Sequence, residues 1–206
     1  MKIVLTGFEP FGGESCNPSE KVVEALVECQ LPGVELITAV LPVDSVQAPR
    51  HLWALLQQTA PDAVLCLGQA GRDPFIAIER VALNLMDFRI ADNGGHQRED
   101  ELIRLHGPTA YFATLPAREI VAALQTNGVP AKLSLSAGAF LCNQIMYELL
   151  DYVAERGDQI PAGFIHLPLL PEQAAQRQII PPSMQLETMV QGICIILQTI
   201  ATQVSA

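Results

Sequence analysis

The sequence predicts an α/β fold: one domain over residues 1–206, with helices on both faces of a largely parallel sheet. Three observations predict it. Strand-like and helix-like segments alternate over most of the length. The 206 residues suit one domain, and 50% hydrophobic against 17% charged residues is the balance of a buried core. No internal repeat, linker or low-complexity tract divides the chain.

MKIVLTGF (1–8) is a short apolar run ending at a glycine turn, hence a first strand. EKVVEALVEC (20–29) has helical spacing. VELITAVLPV (34–43) is a second strand, and VQAPRHLWALLQQTA (46–60) a helix that Pro61 ends. DAVLCLGQAG (62–71) is a third strand opening into a glycine turn. FIAIERVALNLMDFRI (75–90) reads as one or two strands. With the strong turn signal Asn93-Gly94-Gly95 it forms a strand-rich, mixed or antiparallel region reaching to Ala113. YFATLPAREIVAALQTNG (111–128) gives a strand and then a helix stopped by Gly128. AKLSLSAG (131–138) is a strand, and AFLCNQIMYELLDYVAERG (139–157) a helix. GFIHLPLL (163–170) is the last strand and residues 183–204 a long final helix. In open sheets of this kind sites gather outside the carboxyl ends of strands. The loops after Gly7, Gly68, Gly138 and His166 are therefore where chemistry is expected.

The net charge of −10 argues against nucleic acid or an anionic membrane as partner. No apolar run reaches the length of a membrane span, and the start lacks the long apolar stretch of a signal peptide. The cysteines, Cys16, Cys29, Cys66, Cys142 and Cys194, are odd in number and widely spaced, with no zinc-type pair. That usage points to a reducing cytoplasm.

Cys142 stands in the first turns of a helix after Ser136-Ala137-Gly138, a step that permits a tight strand-to-helix turn. Cysteine is often a small buried hydrophobe, and Cys142, Met146 and Leu150 share one helical stripe. A helix amino terminus also favours thiolate, and a nearby imidazole would favour it further. His166 ends a core strand, whereas His51 sits on a helix and His96 and His106 sit in the polar hairpin region. Glu79 interrupts an apolar strand and so needs a partner, either in a structural ion pair or as the carboxylate that orients a histidine. Together Cys142, His166 and Glu79 can form a thiol hydrolase triad.

Four segments then carry a family resemblance: TGFEPFGGESCNPSE, GQAGRDPFIAIERVALN, SAGAFLCNQIMY and GFIHLPLLPEQ. In this order they resemble the motifs of pyroglutamyl peptidase I, a family of cysteine peptidases, over nearly the whole chain. The resemblance implies an α/β/α sandwich with a twisted mixed sheet, needing neither metal nor organic cofactor. It implies Cys142 as nucleophile, His166 as base and Glu79 as the catalytic glutamate, acting on peptides with an amino-terminal pyroglutamate. It further implies a lactam pocket of Phe8, Phe11, Asn17, Gln69, Phe140 and Leu141, with Arg89 near the oxyanion site. A homo-oligomer, commonly a tetramer, belongs to the same implication.

Physics agrees with such a substrate. A flat neutral lactam fits between phenyl rings, and FEPFGG is too rich in glycine and proline to be ordinary core. Gly12-Gly13 is not followed by a phosphate-loop pattern, which argues against nucleotide binding. Two other readings stay open on the residues: a nucleoside phosphorylase-like enzyme of similar architecture, and a binding module that kept the pocket without catalysis.

Overall fold

Alternate residues of the first strand serve opposite cores. In β1 (Lys2–Phe8), Ile3 and Leu5 belong to one hydrophobic cluster and Val4 and Phe8 to the other. A strand buried on both faces needs a helix layer on each side. The computed structural model describes residues 1–27, 29–157 and 159–204, and the same period of two recurs in β3 (Ala63–Gln69) and β8 (Ala162–Leu167). Residues Leu65, Leu67, Ile165 and Leu167 face one cluster, while Val64, Cys66 and Phe164 face the other.

The main sheet has six strands in the order β2-β1-β3-β8-β4-β7. Here β2 is Glu35–Leu41, β4 is Ile76–Glu79 and β7 is Ala131–Ser134. Strands β2, β1, β3 and β8 run parallel. The pair β4–β7 is parallel within itself, but β4 lies antiparallel to β8. The sheet is thus mixed and mostly parallel. Helices α1 (Pro18–Leu26), α3 (Ala117–Thr126) and α6 (Leu186–Val204) cover one face, and α2 (Gln47–Thr59) and α4 (Leu141–Arg156) the other. Among the described residues no helix is long and apolar enough to cross a membrane.

Local chemistry sets the boundaries. Asn17 caps α1, its Oδ1 accepting from Ser19 N at 3.0 Å, and Pro18 comes next in the first turn. Helix α2 ends at Ala60 in the left-handed region (φ 43°), with Pro61 next. The apolar segment 75–90 is broken at Arg80, whose backbone N–H goes to Ser134 and whose carbonyl accepts from Ala113. Beyond the break lies β5 (Val81–Leu83), paired antiparallel with β6 (Ala110–Phe112) in a separate small sheet. The connection between them is held by Asn84, which bonds Arg104 N, Arg104 O and Gly107 O. The last strand stops at Leu167 rather than continuing to residue 170, because Pro168 has no N–H for the ladder. A short helix that the sequence did not lead us to expect, α5 (Pro171–Ala175), comes next.

Candidate active site

Cys66, Gly68, Phe164, His166, Ala77 and Glu79 project towards the α4 face, because their neighbours Leu65, Leu67, Ile165, Ile76 and Ile78 occupy the opposite core. In the antiparallel ladder Ala77 stands opposite His166, so Glu79, two residues on, is its diagonal neighbour. The carboxylate reaches back, and Glu79 Oε1 lies 2.8 Å from His166 Nδ1. Glu79 is buried (2% exposed), as is His166 (7%). A charge so placed is tolerable only with a partner.

Helix α4 brings Cys142 to the same point. The turn before it uses Gly138 in the left-handed region (φ 78°), and Gly138 N donates to Ser136 Oγ. Phe140 precedes the helix and offers no side-chain cap, so the first-turn N–H groups lack an intrahelical acceptor. The half-buried Cys142 side chain lies close enough to His166 to act on its charge. It rests over the backbone of Gly68, where a Cβ would lie 2.8 Å from Cys142 Sγ and 2.7 Å from Phe164 Cζ. Burial on its own would lower the His166 pKa. The Cys142 charge and hydrogen bond, together with those of Glu79, outweigh burial and raise it to about 10. The arrangement therefore favours the imidazolium form of His166. Cys66 lies deeper, and burial pushes its thiol up to about 12.

The two residues after the cysteine fix the helix start. Asn143 Oδ1 accepts from Leu83 N (2.8 Å) and its Nδ2 donates to Leu83 O and Leu85 O, while Gln144 Nε2 donates to Ser45 O (2.8 Å). Sequence reasoning did not single out this pair. The signal was two amides inside an apolar helix, which must find buried acceptors.

Phe8, Phe11, Asn17, Val43, Gln69, Phe140, Leu141 and Cys142 line one narrow cleft. Six of the seven expected pocket residues therefore meet beside the thiol. Arg89 is exposed and is not part of that lining. The Phe11 and Phe140 rings are 5.9 Å apart, and Phe88 packs edge-on against Phe140 at 4.7 Å. Phe88 and Val43 were not foreseen; both come from loops whose reach across the fold leaves no periodic signal. Asn17 already holds Ser19 with its oxygen, and its Nδ2 donates to Glu9 O at 3.0 Å, so it shapes the loop as well as lining the cleft. Gln69 Oε1 accepts from Gln173 Nε2 at 3.0 Å.

A second groove, between Leu56, Pro61, Tyr152 and Ile160, has no thiol, imidazole or carboxylate in its lining. Among the described residues one group has metal-ligand types, Asp44, Asp92 and His96. None of the three lines the cleft, and Asp44 and Asp92 already accept backbone N–H groups of residues 45–47 and 96.

The fold, and a thiol answered by an imidazole and a carboxylate below a narrow aromatic slot, define a hydrolase of the cysteine-peptidase class. A family model described as pyroglutamyl peptidase matches residues 1–203, and the chain belongs to that family. It is 47% identical over 199 residues to a pyrrolidone-carboxylate peptidase of Brevibacillus brevis, covering 96% of this chain and 91% of that one. To the pyrrolidone-carboxylate peptidase of Thermococcus onnurineus it is 46% identical, with 97% and 98% covered. Among solved structures, a mutant pyrrolidone carboxyl peptidase of Pyrococcus furiosus superposes with a TM-score of 0.96 at 38% identity, covering 99% and 100% of the two chains. The pyroglutamyl peptidase I of Bacillus amyloliquefaciens gives 0.94 at 37% identity, covering 98% and 97%.

Proposed function

We propose that this protein removes an amino-terminal L-pyroglutamyl residue from peptides, with Cys142 as nucleophile, His166 as general base and acid, and Glu79 orienting the imidazole. The observation that carries the reading is the contact chain Cys142–His166–Glu79 at one end of a cleft whose described lining holds aromatic and amide groups but no carboxylate. A pyroglutamyl residue suits such a cleft. Its ring is flat and neutral, and cyclisation has removed the α-amine that would need an acidic partner. A free amino terminus would bury an ammonium group without one.

In the proposed reaction the Cys142 thiolate attacks the scissile carbonyl carbon, and the carbonyl π pair moves onto oxygen. The N–H groups at the start of α4 face the developing oxyanion. The imidazolium of His166 gives its proton to the leaving nitrogen as the C–N bond breaks, leaving a thioester. Water then attacks the thioester, His166 takes its proton, and Cys142 departs as thiolate. Glu79 holds the ring nitrogen remote from sulfur, which fixes the tautomer and supports the positive charge. No step in this sequence calls on a metal or an organic cofactor.

On the same reading, residues 1–206 make up one pyroglutamyl-peptidase-like domain. The free thiols of Cys16, Cys29, Cys66, Cys142 and Cys194 support a cytoplasmic setting. A homo-oligomer, up to a tetramer, is what the family resemblance implies. The test of the central claim is release of 7-amino-4-methylcoumarin from its L-pyroglutamyl amide. Release should stop after alkylation of Cys142 and be far slower from the L-glutaminyl amide. Equal turnover of the two amides would sink the reading.

A further inference from the structure

We propose that Gln173 is a positioning residue for substrate recognition: it sets the amide orientation of Gln69, so that Gln69 presents an N–H donor to the ring carbonyl of the bound lactam. This rests on the function proposed above. The relay begins at α5, where Leu170 N–H donates to Gln173 Oε1 at 2.9 Å. A backbone N–H can be met only by an acceptor, so the Gln173 oxygen must face it. The Gln173 nitrogen is thereby turned the other way. Its two hydrogens go to Cys16 O at 3.2 Å and Gln69 Oε1 at 3.0 Å.

The second amide is set by the first. With its oxygen held by Gln173, Gln69 leaves its NH2 as the unengaged edge, and no acceptor for it occurs among the described residues. Gln69 lines the cleft beside Cys142. Gln173 is buried (3% exposed) and does not line it, so its effect on a ligand passes through Gln69. A fixed N–H donor selects a ring that carries a carbonyl over one that does not. Pyroglutamyl and prolyl residues differ by that oxygen and by the charge on the ring nitrogen, and the amide relay supplies the part of the discrimination that reads the oxygen. The relay also ties the loop at Cys16, the end of β3 and the start of α5 into one unit.

The test uses wild type, Gln173→Glu and Gln173→Met, with coumarin amides of L-pyroglutamate and L-proline. In Gln173→Glu an ionised carboxylate offers only acceptors, so Gln69 must turn its NH2 towards it and its oxygen into the cleft. KM for the pyroglutamyl amide should rise about ten- to hundredfold, the range for facing one buried acceptor with another. Both kcat and the alkylation rate of Cys142 should hold within about twofold, since the transition-state groups are untouched. The same carboxyl, when protonated, can still donate, so the KM increase should grow with pH in this variant and not in wild type. Preference over the prolyl amide should fall in parallel. Gln173→Met frees the Gln69 amide to take either orientation, giving a smaller KM rise without the pH trend, and it decides the matter alone if Gln173→Glu does not fold. Folded variants with wild-type KM, or with reduced kcat at unchanged KM, overturn the proposal. A wild type that does not release coumarin from the pyroglutamyl amide instead overturns the function on which it rests.

Discussion

Glu79 and His166 are 87 positions apart in the chain and 2.8 Å apart in space, joined diagonally across the antiparallel seam between β4 and β8. Because the carboxylate approaches from below, the other side of the ring is left to the thiol. Replacing Glu79 by Gln keeps the shape but removes the charge that supports an imidazolium. Turnover of the pyroglutamyl amide should fall by up to about ten-thousandfold, the scale for an orienting carboxylate in such triads. Alkylation of Cys142 near neutral pH should slow, because His166 loses the carboxylate that helps to keep it protonated. A variant that melts lower yet turns over normally would remove Glu79 from the mechanism.

Cys142→Ser and His166→Ala should each lower kcat by at least about a thousandfold while leaving the circular dichroism spectrum unchanged. A hydroxyl is far harder to ionise than the thiol this site is built around. Iodoacetamide should label Cys142 well before Cys66, whose thiol burial has pushed up to about 12. Peptide mapping after limited alkylation checks the order.

Gly68→Ala should damage activity more than stability. The added methyl would lie within 2.8 Å of Cys142 Sγ and 2.7 Å of the Phe164 ring. Relief requires moving the thiol, and displacement of a reacting atom by about 1 Å can cost a hundredfold in rate. Overpacking of this kind destabilises by about 1–3 kcal/mol. Thermal melting and kinetics on the same sample separate the two effects.

Glu148, also on α4, gives a stability prediction independent of the chemistry. Burial raises its pKa to about 7, against the partial relief offered by Arg104, and Asp151 and Glu155 raise it further. Its carboxylate is 3.9 Å from Arg104, which sits closer to Asp151 at 2.7 Å. A folded pKa above the unfolded value means stability fully present below the unfolded pKa and lost as pH climbs through about 7. Glu148→Gln should therefore match wild type near pH 5 and exceed it at pH 8, by on the order of 2 kcal/mol. Urea denaturation at the two pH values measures the difference; a gap that narrows as pH rises would contradict it.

Alternation of strand and helix was legible because side-chain period reflects secondary structure directly. Strand direction was legible only by region: residues 75–113 were expected to be mixed or antiparallel, as β4 against β8 is, but the particular pairing was not. Ile76 and Ile78 face one core and Ala77 and Glu79 the other whichever way β4 runs, so the side-chain period does not say which strand β4 meets in reverse or that Glu79 comes beneath His166. The expected triad and six of the expected cleft residues do come together, since glycine-rich turns at strand ends carry a local signal. Phe88, Val43 and Gln173 were missed for a shared reason. Each is placed by contacts tens of residues away, from loops or a five-residue helix too short to show a period.

Strand β8 occupies the middle of the sheet, between β3 and β4, although it is the last strand in chain order. During synthesis the ribosome therefore delivers both flanking parts first, with an open slot between them, and His166 arrives only when that slot is filled. A nascent chain stopped before residue 162 has Cys142 and Glu79 but neither the ring that links them nor the strand that joins the two halves of the sheet. The proposed triad and the closed sheet are thus completed by the same late segment, and a chain stopped before residue 162 holds neither.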